Sequence, residues 1–206
     1  MVAATVSTPE AVEAAAARRI DAVVLGASAG GFEALLTVLK GLPASYPMPL
    51  AAVLHLPDNR ESRLAELFDF RLTLDVREAR DKETLEPGTL YFAPPGYHLS
   101  IEADGSFSLS CEERVNFARP SIDVLFSSAA DAYGKSLAGI LLTGANYDGA
   151  AGMAGMQVAG ALTIVQDPAT AEVPTMPEAA IRRMTPDLIL PLAEINSLLQ
   201  KLGAPQ

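Results

Sequence analysis

Ser28 lies at the centre of a Gly-x-Ser-x-Gly pattern that runs from Gly26 to Gly30. Between a strand and a helix, this pattern is typical of a nucleophile elbow, in which small flanking residues permit a sharp turn that holds out the serine hydroxyl. The N–H of Ala29 would then lie at a helix N-terminus, where it can donate to an oxyanion. The same glycine-rich turn could instead bind a phosphate or no ligand. The pattern favours nucleophilic chemistry and leaves these alternatives open.

Two further residues could form a hydrolytic triad with Ser28. The apolar run at 50–55 predicts a buried strand that ends in His55, and Asp148 follows a second apolar run at 137–143. A serine needs an imidazole to take its proton, and the imidazole needs a carboxylate that fixes its tautomer and stabilises its cation. His55 could instead be a packed strand residue, and Asp148 could cap the next helix. We interpret the three as nucleophile, base and orienting carboxylate.

The other polar candidates have weaker contexts. His98 follows Pro94, Pro95, Gly96 and Tyr97 and begins a hairpin, so we interpret it as a structural residue. Arg119 stands before a predicted helix and is either an exposed cation or a contact to substrate.

The elements that must position these residues alternate between strands and helices. Two short strands at 99–102 and 107–111 flank a hairpin signal at 103–106, and residues 57–59 predict a turn. The alternation predicts an α/β fold with a doubly wound, mainly parallel sheet, helices on both faces and an antiparallel hairpin at one edge. Ligands bind beyond the carboxyl ends of such strands, where Ser28 and His55 are expected. The predicted strands of the main sheet are 21–27, 50–55, 72–76, 89–93, 137–143, 161–165 and 187–190, and the predicted helices are 31–40, 61–70, 121–133, 149–158, 177–184 and 192–202.

The composition argues against several function classes. The chain has 206 residues, of which 50% are hydrophobic and 19% charged, as expected for a globular domain. Its net charge of −10 disfavours nucleic acids and anionic membranes as partners. No apolar run approaches the roughly 20 residues that cross a bilayer, and the N-terminus does not resemble a signal peptide. Two histidines and a single cysteine argue against a zinc site, and the cysteine usage fits a cytoplasmic location.

The first 18 residues are expected to form a tail or a short helix that precedes the domain at 19–206. Thr8, Pro9 and Glu10 could cap a helix that ends near Arg18. A disordered tail is the alternative.

Six segments together resemble the catalytic domain of the chemotaxis receptor methylesterases, the CheB family. The resemblance runs from about Ile20 to Gly203 and implies hydrolysis of γ-glutamyl methyl esters, together with deamidation of glutamines, on the cytoplasmic part of chemoreceptors. It implies no cofactor, and the family's catalytic serine, histidine and aspartate fall on Ser28, His55 and Asp148. The segments are GASAGG, LHLP, APPGYHL, RPSIDVLFSSAA, LLTGANYDGAAG and QDPATAEVPTMPEAAI.

The chain departs from the family pattern beside the expected site. Ala29 follows the serine where threonine is frequent, and the aspartate loop, often GMGxDG, has Ala145 and Asn146 at its second and third positions. Thr175 precedes Met176 where glycine is frequent. These changes are expected to alter rate and substrate range more than the triad. The candidate oxyanion and substrate-side residues are therefore Ala29, Gly30, Ala145, Asn146, Arg119 and Met176.

The resemblance also implies partners and regulation. The implied partners are the cytoplasmic domain of a methyl-accepting chemoreceptor and either a receptor methyltransferase or a separate response regulator. Many relatives carry an N-terminal receiver domain of on the order of 100 residues, which the stretch before the first strand is too short to form. We therefore expect an uncovered rim and activity that does not depend on phosphodonors. Two rival hypotheses are a non-catalytic signalling module that keeps this fold and a phosphate binder in which His55 is dispensable.

Overall fold

A seven-stranded sheet forms the centre of the protein in a computed structural model, which describes residues 7–55 and 63–204. All six pairs of neighbouring strands are parallel, in the order β3-β4-β2-β1-β7-β8-β9. Every residue of the three central strands is buried, which explains why they are nearly continuous apolar runs. The predicted parallel sheet is confirmed. Its strands are β1 (Ala22–Ala27), β2 (Leu50–Leu54), β3 (Asp75–Glu78), β4 (Thr89–Phe92), β7 (Leu137–Leu141), β8 (Leu162–Gln166) and β9 (Leu188–Leu190).

Helices cover both faces of the sheet, as predicted. Side chains of β1 alternate between two apolar clusters, with Val23 and Leu25 in one and Ala22 and Val24 in the other. The first cluster includes side chains of α1 (Pro9–Ala16), α2 (Gly31–Leu39), α3 (Leu64–Asp69) and α7 (Leu192–Leu202). The second includes side chains of α4 (Ile122–Tyr133), α5 (Ala150–Val158) and α6 (Thr175–Arg183).

The predicted hairpin exists, but it does not extend an edge of the main sheet. β5 (His98–Ile101) and β6 (Phe107–Ser110) pair only with each other, in a separate antiparallel sheet. The apolar side chains of Leu99, Ile101 and Phe107 belong to the same core cluster as α4. Burying them beside that helix places the hairpin over one face of the protein, a choice that local sequence patterns do not encode.

The third strand begins later than predicted. Residues 72–76 alternate like a strand, yet β3 covers Asp75–Glu78, because the chain after α3 first continues in a turn. The amides of Arg71 and Leu72 both donate to the carbonyl of Phe68, at 2.9 Å, and are therefore not available to a neighbouring strand. The predicted turn at 57–59 lies outside the described residues.

Residues Pro9–Ala16 form the short helix α1, and the hydroxyl of Thr8 accepts from the amide of Ala11 at its start. Ser7 pairs with Ile189 of the edge strand β9, and Arg18 donates to the carbonyl of Lys135, just before β7. The segment thus ends at the amino-terminal edge of the sheet. No helix in the described part of the chain has the length and apolar character needed to cross a membrane.

Candidate active site

The candidate residues come together at the carboxyl ends of three neighbouring strands, β2, β1 and β7. The amide of His55 donates to the carbonyl of Ala27 at 3.1 Å, so His55 stands beside the end of β1. On the other side, the amide of Ser28 donates to the carbonyl of Thr143 at 3.0 Å. These two bonds hold Ser28 between His55 and the loop at 144–149.

Ser28 lies in the turn between β1 and α2, as the pattern predicts, but its own φ is not positive, unlike that of a strained elbow serine. Gly30 has a φ of 73°, a left-handed conformation that glycine adopts without strain, and α2 begins at the next residue. A side chain at Gly26 would meet Ile122 Cγ2 at 2.4 Å, so the strand requires glycine there. The amides of Ala29 and Gly30 have no acceptor within the described residues, so both are free donors at the start of a helix.

A hydrogen bond joins His55 to Asp148. His55 Nε2 lies 3.0 Å from Asp148 Oδ2, the His55 side chain is 13% exposed and that of Asp148 is fully buried. Burial protects this bond from competition with water, and the carboxylate can therefore fix the orientation of the imidazole ring.

Asn146 contacts the other ring nitrogen of His55. Its Oδ1 accepts from the amide of Asp148 at 3.1 Å, so its Nδ2 is the atom that faces His55 Nδ1, at 3.3 Å. An amide nitrogen only donates, and His55 Nδ1 must therefore be unprotonated while Nε2 carries the hydrogen that Asp148 accepts. The basic nitrogen of His55 is thus Nδ1. The Ser28 hydroxyl has no hydrogen bond within the described residues, and its contact with Nδ1 stays a prediction.

Five donors surround the Asp148 carboxylate, and together they form what we call the Asp148 cradle. Burial by itself would raise the pKa of Asp148, but the hydrogen bonds from its neighbours outweigh burial, and the pKa lies below its usual value. Asp148 is therefore an anion held at a helix N-terminus, where the α4 amides and the helix dipole favour negative charge. The donors are His55 Nε2 at 3.0 Å, Ile122 N at 2.7 Å, Ser121 Oγ at 2.8 Å, Asn116 Nδ2 at 2.9 Å and Asp123 N at 3.2 Å.

Sequence reasoning missed two residues of this cradle, Asn116 and Ser121. Asn116 Nδ2 also donates to Asp123 Oδ2 at 2.7 Å, so this amide separates two carboxylates that would otherwise repel each other. Ser121 stands at a predicted helix start, where capping residues are common, but no local signal shows that its hydroxyl binds Asp148. Asn116 and Ser121 are 32 and 27 residues from Asp148 in the chain, so only the fold brings them to its carboxylate.

His98 contacts Ser121, which is a residue of the cradle. It is buried, its Nδ1 accepts from the amide of Ser121 at 3.2 Å and its Nε2 donates to the carbonyl of Glu113 at 3.0 Å. These contacts support the interpretation of His98 as a structural residue that fixes the start of α4.

The remaining candidates fall into two groups. Ala29 and Ala145 are exposed at the rim, beside Ser28 and Asn146 respectively. Met176 is fully buried, and a side chain at Gly144 would meet its Cε at 2.5 Å, so Met176 packs against the loop at 144–149. Arg119 is less exposed than the first of its two alternatives, an exposed cation, would have it, and its contact to substrate stays a prediction. It is half-buried, and its Nη1 donates to the carbonyls of Cys111 and Glu112 at 2.8 and 2.9 Å.

The oxygen and nitrogen ligands of a metal ion are not assembled anywhere in the described ranges. Within residues 7–55 and 63–204, no group of three histidine, cysteine, aspartate or glutamate side chains could hold one.

The fold and the rim define an α/β protein with a strand–turn–helix serine and a buried histidine–aspartate pair, an arrangement that suits acyl transfer. The family model described as CheB methylesterase matches residues 23–199, which is most of the chain. The chain therefore belongs to the CheB methylesterase family, and the predicted class of enzyme, a methylesterase, is confirmed at the level of the family.

Relatives of known sequence and structure agree with this membership. A Leptospira interrogans protein, provisionally named protein-glutamate methylesterase/protein-glutamine glutaminase, is 43% identical over 88% of this chain and 94% of its own length. An Anaeromyxobacter dehalogenans protein-glutamate methylesterase/protein-glutamine glutaminase is 43% identical over 91% of this chain, but the match spans 55% of that relative. The crystal structure of the Thermotoga maritima CheB methylesterase catalytic domain has a TM-score of 0.83 and 32% identity, and the match covers 88% of this chain and 98% of that one.

Proposed function

We propose that this chain hydrolyses γ-glutamyl methyl esters on the cytoplasmic part of chemoreceptors, using Ser28, His55 and Asp148 as a triad. The observation that carries the proposal is the 3.0 Å hydrogen bond between His55 Nε2 and the buried Asp148, at the strand end beside Ser28. The relatives' printed names supply the glutamyl ester and glutamine side chain as substrates.

In the first step, Ser28 Oγ attacks the ester carbonyl carbon and transfers its proton to His55 Nδ1. Asp148 accepts the hydrogen of Nε2 and stabilises the imidazolium that forms. Since Asn146 Nδ2 lies 3.3 Å from Nδ1, the Ser28 hydroxyl must take the place of that amide as the partner of Nδ1. The free amides of Ala29 and Gly30 are suited to receive the negative charge on the carbonyl oxygen.

In the second step, the tetrahedral intermediate collapses and the carbon–oxygen bond to the methoxy group breaks. His55 protonates the leaving oxygen, so that methanol departs and a glutamyl ester remains on Ser28. Water, deprotonated by Nδ1, then attacks this ester and releases glutamate and the free serine. A glutamine side chain would follow the same path with ammonia as the leaving group, which accounts for deamidation by one site.

The direct test is methanol release from a methylated chemoreceptor cytoplasmic fragment. We expect the purified chain to release methanol, and Ser28→Ala to release it at the rate of buffer, because the nucleophile is lost. Ser127→Ala, an exposed serine on α4, is the matched control and should keep the wild-type rate. Binding of the fragment without methanol release would favour a non-catalytic signalling module. Binding of phosphate with no esterase activity, unchanged in His55→Ala, would favour a phosphate site.

A further inference from the structure

The turn at 115–118 has an unusual backbone for its sequence. The amides and carbonyls of Val115 and Ala118 pair at 2.9 and 3.1 Å, and both central residues, Asn116 and Phe117, have positive φ, at 50° and 63°. Positive φ at both central positions is the pattern of a type I′ turn, which favours asparagine and glycine there. Asn116 fits this preference, whereas a bulky phenylalanine at the second position is strained.

Burial of the Phe117 side chain does not compensate for this strain. It is 87% exposed, so most of the ring faces water. A strained backbone that displays a large apolar side chain is a reason to look for a function of that side chain. The structure therefore directs attention to contacts that Phe117 makes with another molecule.

The turn is fastened directly to the candidate active site. Asn116 donates to Asp148 Oδ1 at 2.9 Å and to Asp123 Oδ2 at 2.7 Å, and Phe117 is the next residue in the chain. Tyr147, which precedes Asp148, is 54% exposed. Phe117 and Tyr147, both exposed, are thus each adjacent in the chain to one partner of the Asn116–Asp148 hydrogen bond.

Two of the basic residues near the site, Arg119 and Arg182, are engaged within the protein. The chain carries a net charge of −10, and Arg119 donates to carbonyls of its own loop. Arg182 pairs with Glu178 at 3.2 Å near the end of α6, about 10 Å along the helix from its start at the rim. Arg114 is exposed and its Nη1 donates to the carbonyl of Phe117 at 3.4 Å, so this turn presents a bound cation and the apolar ring side by side.

We propose that Phe117, with Tyr147 beside the site, is the docking residue for the protein chain that bears the reacting glutamyl ester. The partner it fits is an apolar side chain of the substrate protein that lies next to the ester when the ester reaches Ser28. The proposal rests on the proposed function and adds the surface that recognises the protein part of the substrate.

The test compares Phe117→Gly with the wild type on two substrates. Glycine removes the ring and adopts positive φ without strain, so the melting temperature should stay the same or rise. On the methylated receptor fragment, kcat/KM should fall about tenfold, mainly through KM, because an apolar contact of this size is worth about one order of magnitude. On p-nitrophenyl acetate, which has no protein part, the rate should stay within about twofold of wild type.

Two variants control for exposure and for side-chain chemistry. Phe117→Leu keeps an apolar side chain and should retain more of the activity on the receptor fragment than Phe117→Gly. Val158→Ala removes part of a 90% exposed apolar residue at the far end of α5 and should change neither substrate's rate. Unchanged kcat/KM for the fragment in Phe117→Gly would overturn docking while leaving the proposed function intact. Wild type that releases no methanol from the fragment would overturn both.

Discussion

Asp148→Asn is expected to lose about 10³- to 10⁴-fold in kcat, although it changes a single oxygen. Both carboxylate oxygens face donors, Oδ2 those of His55 and Ile122, and Oδ1 those of Asn116, Ser121 and Asp123. Whichever oxygen becomes an amide group, its hydrogens meet another donor. An amide that faces Nε2 would favour the tautomer with hydrogen on Nδ1, which cannot accept the proton of Ser28.

The same substitution should lower the free energy of unfolding by about 3 kcal/mol, because it leaves buried donors unpaired at a helix N-terminus. Chemical denaturation of both proteins measures this loss. Asp131→Asn, at an exposed position of α4, is the matched control and should change neither stability nor rate appreciably. Retention of wild-type kcat in Asp148→Asn would contradict the assigned role of the carboxylate.

The difference in unfolding free energy between the wild type and Asp148→Asn should also depend on pH. The pKa of Asp148 is lowered in the folded state, so the charged carboxylate stabilises the fold above the unfolded-state pKa, near 4. This contribution is lost as the pH falls through the folded-state value. The difference in unfolding free energy should therefore be constant above about pH 5 and shrink below about pH 4.

Ser28→Ala and His55→Ala should each remove at least about 10³-fold of the turnover of the methylated fragment, and the double variant should be little worse than either. The hydroxyl is a weak nucleophile without a base, and the base has no proton to take without the hydroxyl, so the two act as a unit. Steady-state kinetics of the four proteins, with circular dichroism to verify folding, measure the coupling. Losses that multiply would indicate that the two residues act independently, and an active Ser28→Ala would indicate another nucleophile.

The centre of the fold was predictable because strands that are buried on both faces are continuous apolar runs in the sequence. β1, β2 and β7 are continuous apolar runs, and Ser28, His55 and Asp148 follow their ends at one rim of the sheet. The edge strand β3 is only partly buried, so its apolar pattern is weak and its start was misplaced. The position of the hairpin was not predictable, because it depends on which helix covers the side chains of β5 and β6.

Only the site residues that have a local sequence signature could be predicted. A serine elbow and a histidine at a strand end have local signatures, whereas the cradle of Asp148 depends on how the start of α4 meets a loop that is distant in the chain. Asn116 and Ser121 belong to that contact and were therefore missed. The contacts of Arg119 were not predictable for a similar reason, since the loop carbonyls that it binds come from residues that no motif marks.

The most direct test of the central claim, that Ser28 is a nucleophile activated by His55 and Asp148, is labelling with a fluorophosphonate followed by peptide mass spectrometry. This reagent modifies serines whose proton is removed by a neighbouring base. The account predicts a single adduct on Ser28 in the wild type, slower labelling in Asp148→Asn and none in His55→Ala or Ser28→Ala. An adduct on another residue, or equal labelling of Ser28 in His55→Ala, would contradict it.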